Sequence, residues 1–206
     1  MSSLLRPVLQ TLPLAFLLWF FTFAVPFGNF WLKLTLSASM LAVLGLKSSR
    51  PAWRTLFHFK LRHLWLGPLS AIVLYGIFWL GKQYSTLLFP FASEQISNVY
   101  FNKAQLDVRA IGFLLFFIMG PAEEIYWHGF VQRVFSERRG PVAGVLLTTV
   151  VYSLVHIVAF NVMLLVAATV CGLFWGWLYQ REQSLIPVIL SHSIWDVIIF
   201  VVFPLS

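Results

Sequence analysis

Long apolar runs alternate with short polar breaks along almost the whole chain. Seven of these runs are about as long as the roughly 20 helical residues that a bilayer core requires. They cover approximately residues 8–27, 29–46, 64–81, 110–135, 141–159, 161–179 and 185–203. We therefore expect an all-α fold, a polytopic membrane helical bundle with about seven transmembrane helices.

Composition strengthens this interpretation. The 206 residues are 60% hydrophobic and only 10% charged, whereas soluble domains carry about 25% charged residues. Nine Trp and 21 Phe residues suit lipid-facing surfaces and interfacial belts. No repeat, low-complexity tract or soluble segment interrupts the runs, so we expect residues 1–206 to form a single integral membrane domain.

Lys and Arg are distributed unequally between the two predicted sides of the bundle. One side holds Arg6, Lys47, Arg50, Arg54, Lys60, Arg62, Arg133, Arg138, Arg139 and Arg181; the other holds Lys33, Lys82, Lys103 and Arg109. Because cytoplasmic loops are enriched in Lys and Arg, this bias predicts a cytoplasmic N-terminus. We interpret the net charge of +7 as topological and expect no nucleic-acid partner, since no basic patch resembles a groove binder.

Two adjacent carboxylates, Glu123 and Glu124, lie within the apolar run 111–135. An ionised carboxylate in hydrocarbon costs several kcal/mol or more unless it is paired or hydrated, so these acids predict a functional site. His128 follows Glu124 by one turn on the same face, while Glu123 points about 100 degrees away. Pro121 predicts a kink that makes room for water beside Glu123.

Polar residues one turn apart also occur in two later runs. Tyr152 precedes His156 by four residues, and His192 precedes Asp196 by four. A lone intramembrane histidine is more often a hydrogen-bonded packing residue than a catalyst. Histidines and carboxylates on three helices together predict a shared polar cavity within the C-terminal four helices.

These three motifs resemble the CPBP family, which contains CAAX prenyl proteases and bacteriocin-processing or immunity proteins. Its pattern is E-E-x-x-x-R, then aromatic-x-x-x-His, then His-x-x-x-Asn or Asp, on successive membrane helices. The matching residues are Glu123, Glu124 and His128, then Tyr152 and His156, then His192 and Asp196. The resemblance covers about residues 113–202 and departs at His128, where arginine is usual and where the charge now depends on pH.

The resemblance implies a glutamic-type intramembrane endopeptidase. By correspondence, Glu123 is the base that activates water, and His156 helps to hold and polarise that water. His192 donates to the oxyanion, and Asp196 orients or charges His192. The supporting residues are Glu124, His128 and Tyr152.

The resemblance also implies a catalytic core at about residues 110–203, with accessory transmembrane helices in 1–81. The substrate is expected to be a membrane-associated protein or peptide, such as a lipidated C-terminus, a leader peptide or a C-terminal sorting tail. No cofactor is expected. Small size without a soluble domain favours a prokaryotic inner membrane.

Three other functions are compatible with polar residues inside a membrane bundle. A metal-dependent protease could use His and carboxylate as zinc ligands, although no H-E-x-x-H occurs. A non-enzymatic immunity or peptide-binding protein could use the same cavity. A proton-coupled transporter fits less well because no inverted repeat is present. For the protease, negative charge on Asp196 near the scissile carbonyl predicts a marked pH optimum.

Overall fold

The computed structural model describes residues 5–48 and 53–205, so Arg50 of the predicted basic side lies outside them. Within that part, the helices are α1 Leu5–Phe23, α2 Phe30–Ser48, α3 Trp53–Leu56, α4 His63–Leu88, α5 Ala92–Tyr100, α6 spanning 108–139, α7 Pro141–Ala159, α8 Val162–Glu182 and α9 Leu185–Val202. A short 3₁₀ turn, Phe101–Gln105, follows α5. No strand occurs in the described ranges.

The predicted all-helical fold is confirmed. Six helices are long and apolar enough to cross a membrane, namely α1, α2, α4, α7, α8 and α9. The remaining predicted crossing, 110–135, coincides with α6. That helix contains two π-helical segments, Leu115–Met119 and Trp127–Gln132, between its α-helical parts. The structure is therefore consistent with the expected number of about seven crossings.

The first π-helical segment of α6 ends immediately before Gly120 and Pro121. Proline has no backbone N–H, and its ring clashes with the carbonyl one turn earlier, so a wider turn accommodates it. Gly120 lets α9 approach closely, because a Cβ atom there would lie 2.5 Å from Oγ of Ser193. This close approach places Glu124 of α6 against His192 of α9.

The connection between α4 and α6 folds over one end of the bundle. Trp31 at the start of α2 donates from Nε1 to the carbonyl of Asn102, at 2.9 Å. Asn161, which caps α8, donates to the carbonyl of Gln95 in α5, at 2.7 Å. These bonds hold α5 and the following turn across the ends of α2 and α8.

Candidate active site

A cavity of about 270 Å³ lies among α6, α7, α8 and α9, and residues of α1, α2 and α5 complete its lining. The side chains that line it include all four expected catalytic residues: Glu123, His156, His192 and Asp196. Tyr152 lines it too, together with apolar residues such as Met119 and Phe200. The structure thus brings residues of all three sequence motifs to one cavity, while the role of each residue stays a prediction.

Glu123 lies on α6 and is 8% exposed. Its Oε2 atom accepts a hydrogen bond from the hydroxyl of Tyr152, at 3.1 Å. Tyr152 is on α7, so this bond fixes the carboxylate of one helix against the next. The contact occupies one carboxylate oxygen on a side chain that lines the cavity.

Glu124 joins α6 to α9. Its Oε2 atom accepts from Nδ1 of His128 at 2.5 Å, and its Oε1 atom accepts from Nδ1 of His192 at 2.7 Å. Among the described residues, neither Glu124 nor His128 lines the cavity. Glu124 therefore lies behind the cavity wall, and its bond to His192 is a contact that helical spacing alone did not predict.

The imidazole ring of His192 is held on several sides. With Nδ1 bonded to Glu124, Nε2 lies 3.5 Å from Oδ2 of Asp196, which is longer than an ordinary hydrogen bond. Trp175 of α8 stacks on the ring, with centroids 3.8 Å apart and planes 20° apart. Trp175 is itself fixed by donating from Nε1 to Oγ of Ser191, at 3.1 Å. The orientation of His192 is consequently set by packing as well as by hydrogen bonds.

Both ring nitrogens of His156 are occupied. Nδ1 lies 2.7 Å from the carbonyl oxygen of Tyr152, which can only accept, so Nδ1 carries the hydrogen. Nε2 lies 3.1 Å from the indole nitrogen of Trp19, which can only donate, so Nε2 accepts. This arrangement requires the neutral ring. The expected contact of His156 with a water requires Trp19 to release Nε2.

No sequence pattern marks Trp19 or Trp175 as part of the site. Trp19 belongs to α1, within the segment expected to be accessory, and it is separated from His156 by 137 positions. No helical spacing relates residues so far apart, and an indole donor in an apolar helix looks like any packing residue. Only the packing of α1 against the end of α7 reveals the contact.

Three acidic side chains lie close together in and behind the wall of the cavity. Glu123, Glu124 and Asp196 are all buried, and the described lining of the cavity contains no Lys or Arg. Histidine is therefore the residue type available near these acids to compensate their charge. The arrangement supplies a carboxylate that can accept a proton and an imidazole that can donate one.

A metal site was the first alternative. No group of three or more His, Cys, Asp or Glu in the described part of the chain has a geometry that could hold a metal ion. The two carboxylates around His192 contact it through opposite ring nitrogens rather than converging with it on one point. The expectation that no cofactor is used stays a prediction.

Comparison with protein families bears on the same region. The family model of Type II CAAX prenyl endopeptidase Rce1-like proteins matches residues 105–198. This segment, just under half of the chain, is therefore similar to Rce1-like proteins. The Rce1-like segment contains every predicted site residue, from Glu123 to Asp196, and confirms the resemblance found in the motifs.

The Rce1-like match supports an intramembrane protease. Together with the six apolar helices, it supports an integral, multi-pass membrane protein. No curated protein and no solved structure matches the chain significantly.

Proposed function

We propose that this chain is a glutamate-dependent intramembrane endopeptidase. It hydrolyses a peptide bond of a membrane-associated protein or peptide. One observation carries the proposal: Glu123, His156, His192 and Asp196 come from three different helices and line one cavity. The Rce1-like match over the same residues supports the protease class.

Glu123 is the base in this proposal. The hydroxyl of Tyr152 holds Oε2 at 3.1 Å, which orients the carboxylate while Oε1 remains for a water. The water oxygen bonds to the scissile carbonyl carbon as its proton passes to Glu123. That proton then moves to the amide nitrogen as the C–N bond breaks, so Glu123 ends the cycle ionised.

His192 stabilises the oxyanion in this proposal. Glu124 accepts from Nδ1, so donation to the substrate falls to Nε2, and this requires a doubly protonated ring. The carboxylates of Glu124 and Asp196 on either side compensate the charge of that ring. Stacking by Trp175 limits rotation of the imidazole, so the donor is oriented before the substrate binds.

The remaining predicted residues have positioning roles. His128 holds the second oxygen of Glu124, and in this chain it replaces the arginine of the family pattern. His156 holds the backbone of Tyr152 and contacts the water only after its bond to Trp19 opens.

The substrate is proposed from the character of the cavity wall. Phe23, Trp31, Trp195 and Phe200 line it, so an apolar peptide segment fits better than a charged one. The three substrate classes are a lipidated C-terminus, a leader peptide and a C-terminal sorting tail. We place the protein in a prokaryotic inner membrane, with its N-terminus in the cytoplasm.

The test compares cells that produce wild-type protein, Glu123→Gln or Glu137→Gln. Glu137 is a matched control because it lies on the same helix but is exposed and pairs with Arg133 at 3.1 Å. We expect Glu123→Gln to lower cleavage by roughly 10²- to 10⁴-fold, the usual contribution of a general base, while Glu137→Gln cleaves normally. Mass spectrometry of membrane peptides identifies the precursor that accumulates. Cleavage by Glu123→Gln at the wild-type rate contradicts the proposal.

The same assay separates the alternatives. A binding or immunity protein holds the peptide without turnover in the wild type as well as in the variant. A zinc protease loses activity after chelation and contains bound metal, whereas we expect full activity and no bound metal. Unfolding temperatures in detergent show whether each variant remains folded.

A further inference from the structure

The two ends of the bundle differ in charge. At one end, Arg62 before α4 pairs with Glu182 of α8 at 2.6 Å, and Ser136 of α6 donates to Gln180 of α8 at 3.3 Å. We call this the basic end, because it includes the described residues Lys47, Lys60, Arg62, Arg133, Arg138, Arg139 and Arg181. Sequence positions Arg50 and Arg54 fall in the same connection.

The opposite end carries fewer cations. It is the end where α1 finishes, α2 begins and α5 crosses over. Its cations are Lys33, Lys82, Lys103 and Arg109, and it also carries the acids Glu94 and Asp107. Since cytoplasmic loops are enriched in Lys and Arg, the basic end is cytoplasmic and the opposite end is extracytoplasmic.

The cavity extends from the catalytic residues toward the opposite end. Its lining includes Phe23, the last residue of α1, and Phe30, the first residue of α2. It also includes Asn98 of α5 and Asn161, which caps α8. Asn98 is exposed, so the lining continues to the protein surface there.

No lining residue comes from the basic end within the described ranges. On that side of the catalytic residues, Glu124 and His128 are 1% and 4% exposed, and Gln132 is fully buried. Gln132 donates to the carbonyl of Gly176 at 2.8 Å, which ties α6 to α8. The bundle is therefore closed between the cavity and the basic end.

We propose that the substrate reaches the cavity from the extracytoplasmic side, so the cleaved segment belongs to an exported protein. Cleavage itself rests on the proposed function, but the side of access rests on the placement of charge and cavity. A segment cleaved in the cytoplasm would have to pass the closed half of the bundle.

The mouth of the cavity also restricts the chemistry of that segment. Asn98 and Asn102 place amides there, and amides can hydrogen-bond to an extended peptide backbone. Glu123 and Asp196 lie deeper, without a Lys or Arg in the described lining. These carboxylates would repel an acidic side chain beside the scissile bond. The substrate segment that fits the cavity is therefore apolar, with ends that are either uncharged or basic.

Labelling of introduced cysteines with a membrane-impermeant maleimide tests the side of access. Cys171 is the single native cysteine and is buried, so Cys171→Ser provides the background. Each new cysteine is introduced into this Cys171→Ser protein. Asn98→Cys measures the accessibility of the cavity mouth, Ala104→Cys repeats that measurement on the neighbouring turn, and Arg139→Cys measures the accessibility of the basic end. All three positions are exposed.

We expect Asn98→Cys and Ala104→Cys to be labelled in intact cells, and Arg139→Cys only after the membrane is permeabilised. The reverse pattern overturns the proposal. Labelling does not depend on activity, so the two proposals can fail separately. If the labelling pattern is reversed and Glu123→Gln is inactive, only the proposed side of access is wrong. If the labelling pattern is as expected and Glu123→Gln is active, only the proposed chemistry is wrong.

Discussion

Glu124 accepts hydrogen bonds from histidines on two helices, whereas Glu123 accepts one from a tyrosine and faces the cavity. Adjacent residues on a helix point about 100 degrees apart, so two identical side chains meet different surroundings. Glu124 has both oxygens occupied by imidazoles and is 1% exposed, which suits a fixed structural anion. Glu123 retains an oxygen for a water, which suits a base.

Asp196 provides a prediction about pH. In the proposed mechanism Glu123 is ionised and His192 is doubly protonated, so we expect a rate optimum, with activity falling on the acid side and on the alkaline side. Asp196→Asn removes an anion 3.5 Å from Nε2 of His192. The protonated ring loses stabilisation, so the alkaline limb should move to lower pH. Rates measured between about pH 5 and 9 check this, and an unchanged or flat profile would contradict it.

Trp19 provides a prediction about positioning. Trp19→Phe keeps an aromatic ring beside Trp127 but removes the N–H that donates to His156. We expect turnover to fall by roughly 3- to 10-fold with little change in KM, because the imidazole loses the bond that orients it and this loss outweighs the release of Nε2 to the water. Unfolding should become easier by about 1 kcal/mol, the usual value of one hydrogen bond.

Trp127→Phe is the matched control for Trp19→Phe. The indole nitrogen of Trp127 is buried without a hydrogen-bond partner among the described residues, so this substitution removes no such bond. NMR of the ring nitrogens of His156 gives a second measurement. The Nε2 signal should shift in Trp19→Phe, which removes its hydrogen-bond donor, and stay constant in Trp127→Phe, and equal spectra in all three proteins would argue against a positioning role.

At the scale of elements, α6 and α9 must approach closely for Glu124 to reach His192. Gly120 permits this, since a Cβ atom there would lie 2.5 Å from Oγ and 3.1 Å from Cα of Ser193. The π-helical turn before Pro121 sets the rotation of the following residues. The wide turn and the glycine thus act on the same contact between helices.

Gly120→Ala should separate α6 from α9. We expect it to lower the free energy of unfolding by about 1–3 kcal/mol, the usual effect of overpacking, and to reduce cleavage. Gly76→Ala on α4 is the control, because a Cβ atom there meets nothing within 4 Å. Thermal unfolding in detergent compares the two variants, and equal midpoints would show that the contact tolerates a methyl group.

The sequence predicted helices well and their interruptions poorly. Six crossings followed from hydropathy because a membrane helix must be apolar over its whole length. The proline of α6 indicated a kink, but it did not indicate the two π-helical segments of that helix. Such turns depend on how neighbouring helices pack, and hydropathy does not predict that packing.

At the scale of the whole molecule, most of the positive charge lies at one end of the bundle and the cavity opens toward the other end. Ten of the 14 Lys and Arg positions belong to the basic side, yet the cavity extends to the other end. Loop charge is readable along the chain, because each loop belongs to one side. The direction in which the cavity opens cannot be predicted from the sequence in this way, because it depends on where the helices separate and where α5 packs over their ends.

The sequence by itself determined the helical membrane class, the residues of the three motifs and their resemblance to a protease family. Those features are local: hydropathy over one run, or a four-residue spacing on one helix. Only the tertiary structure decided that His192 donates to Glu124, that Trp19 donates to Nε2 of His156 and that Trp175 stacks on His192. These contacts join distant parts of the chain, and they form only when close packing brings particular faces of different helices together.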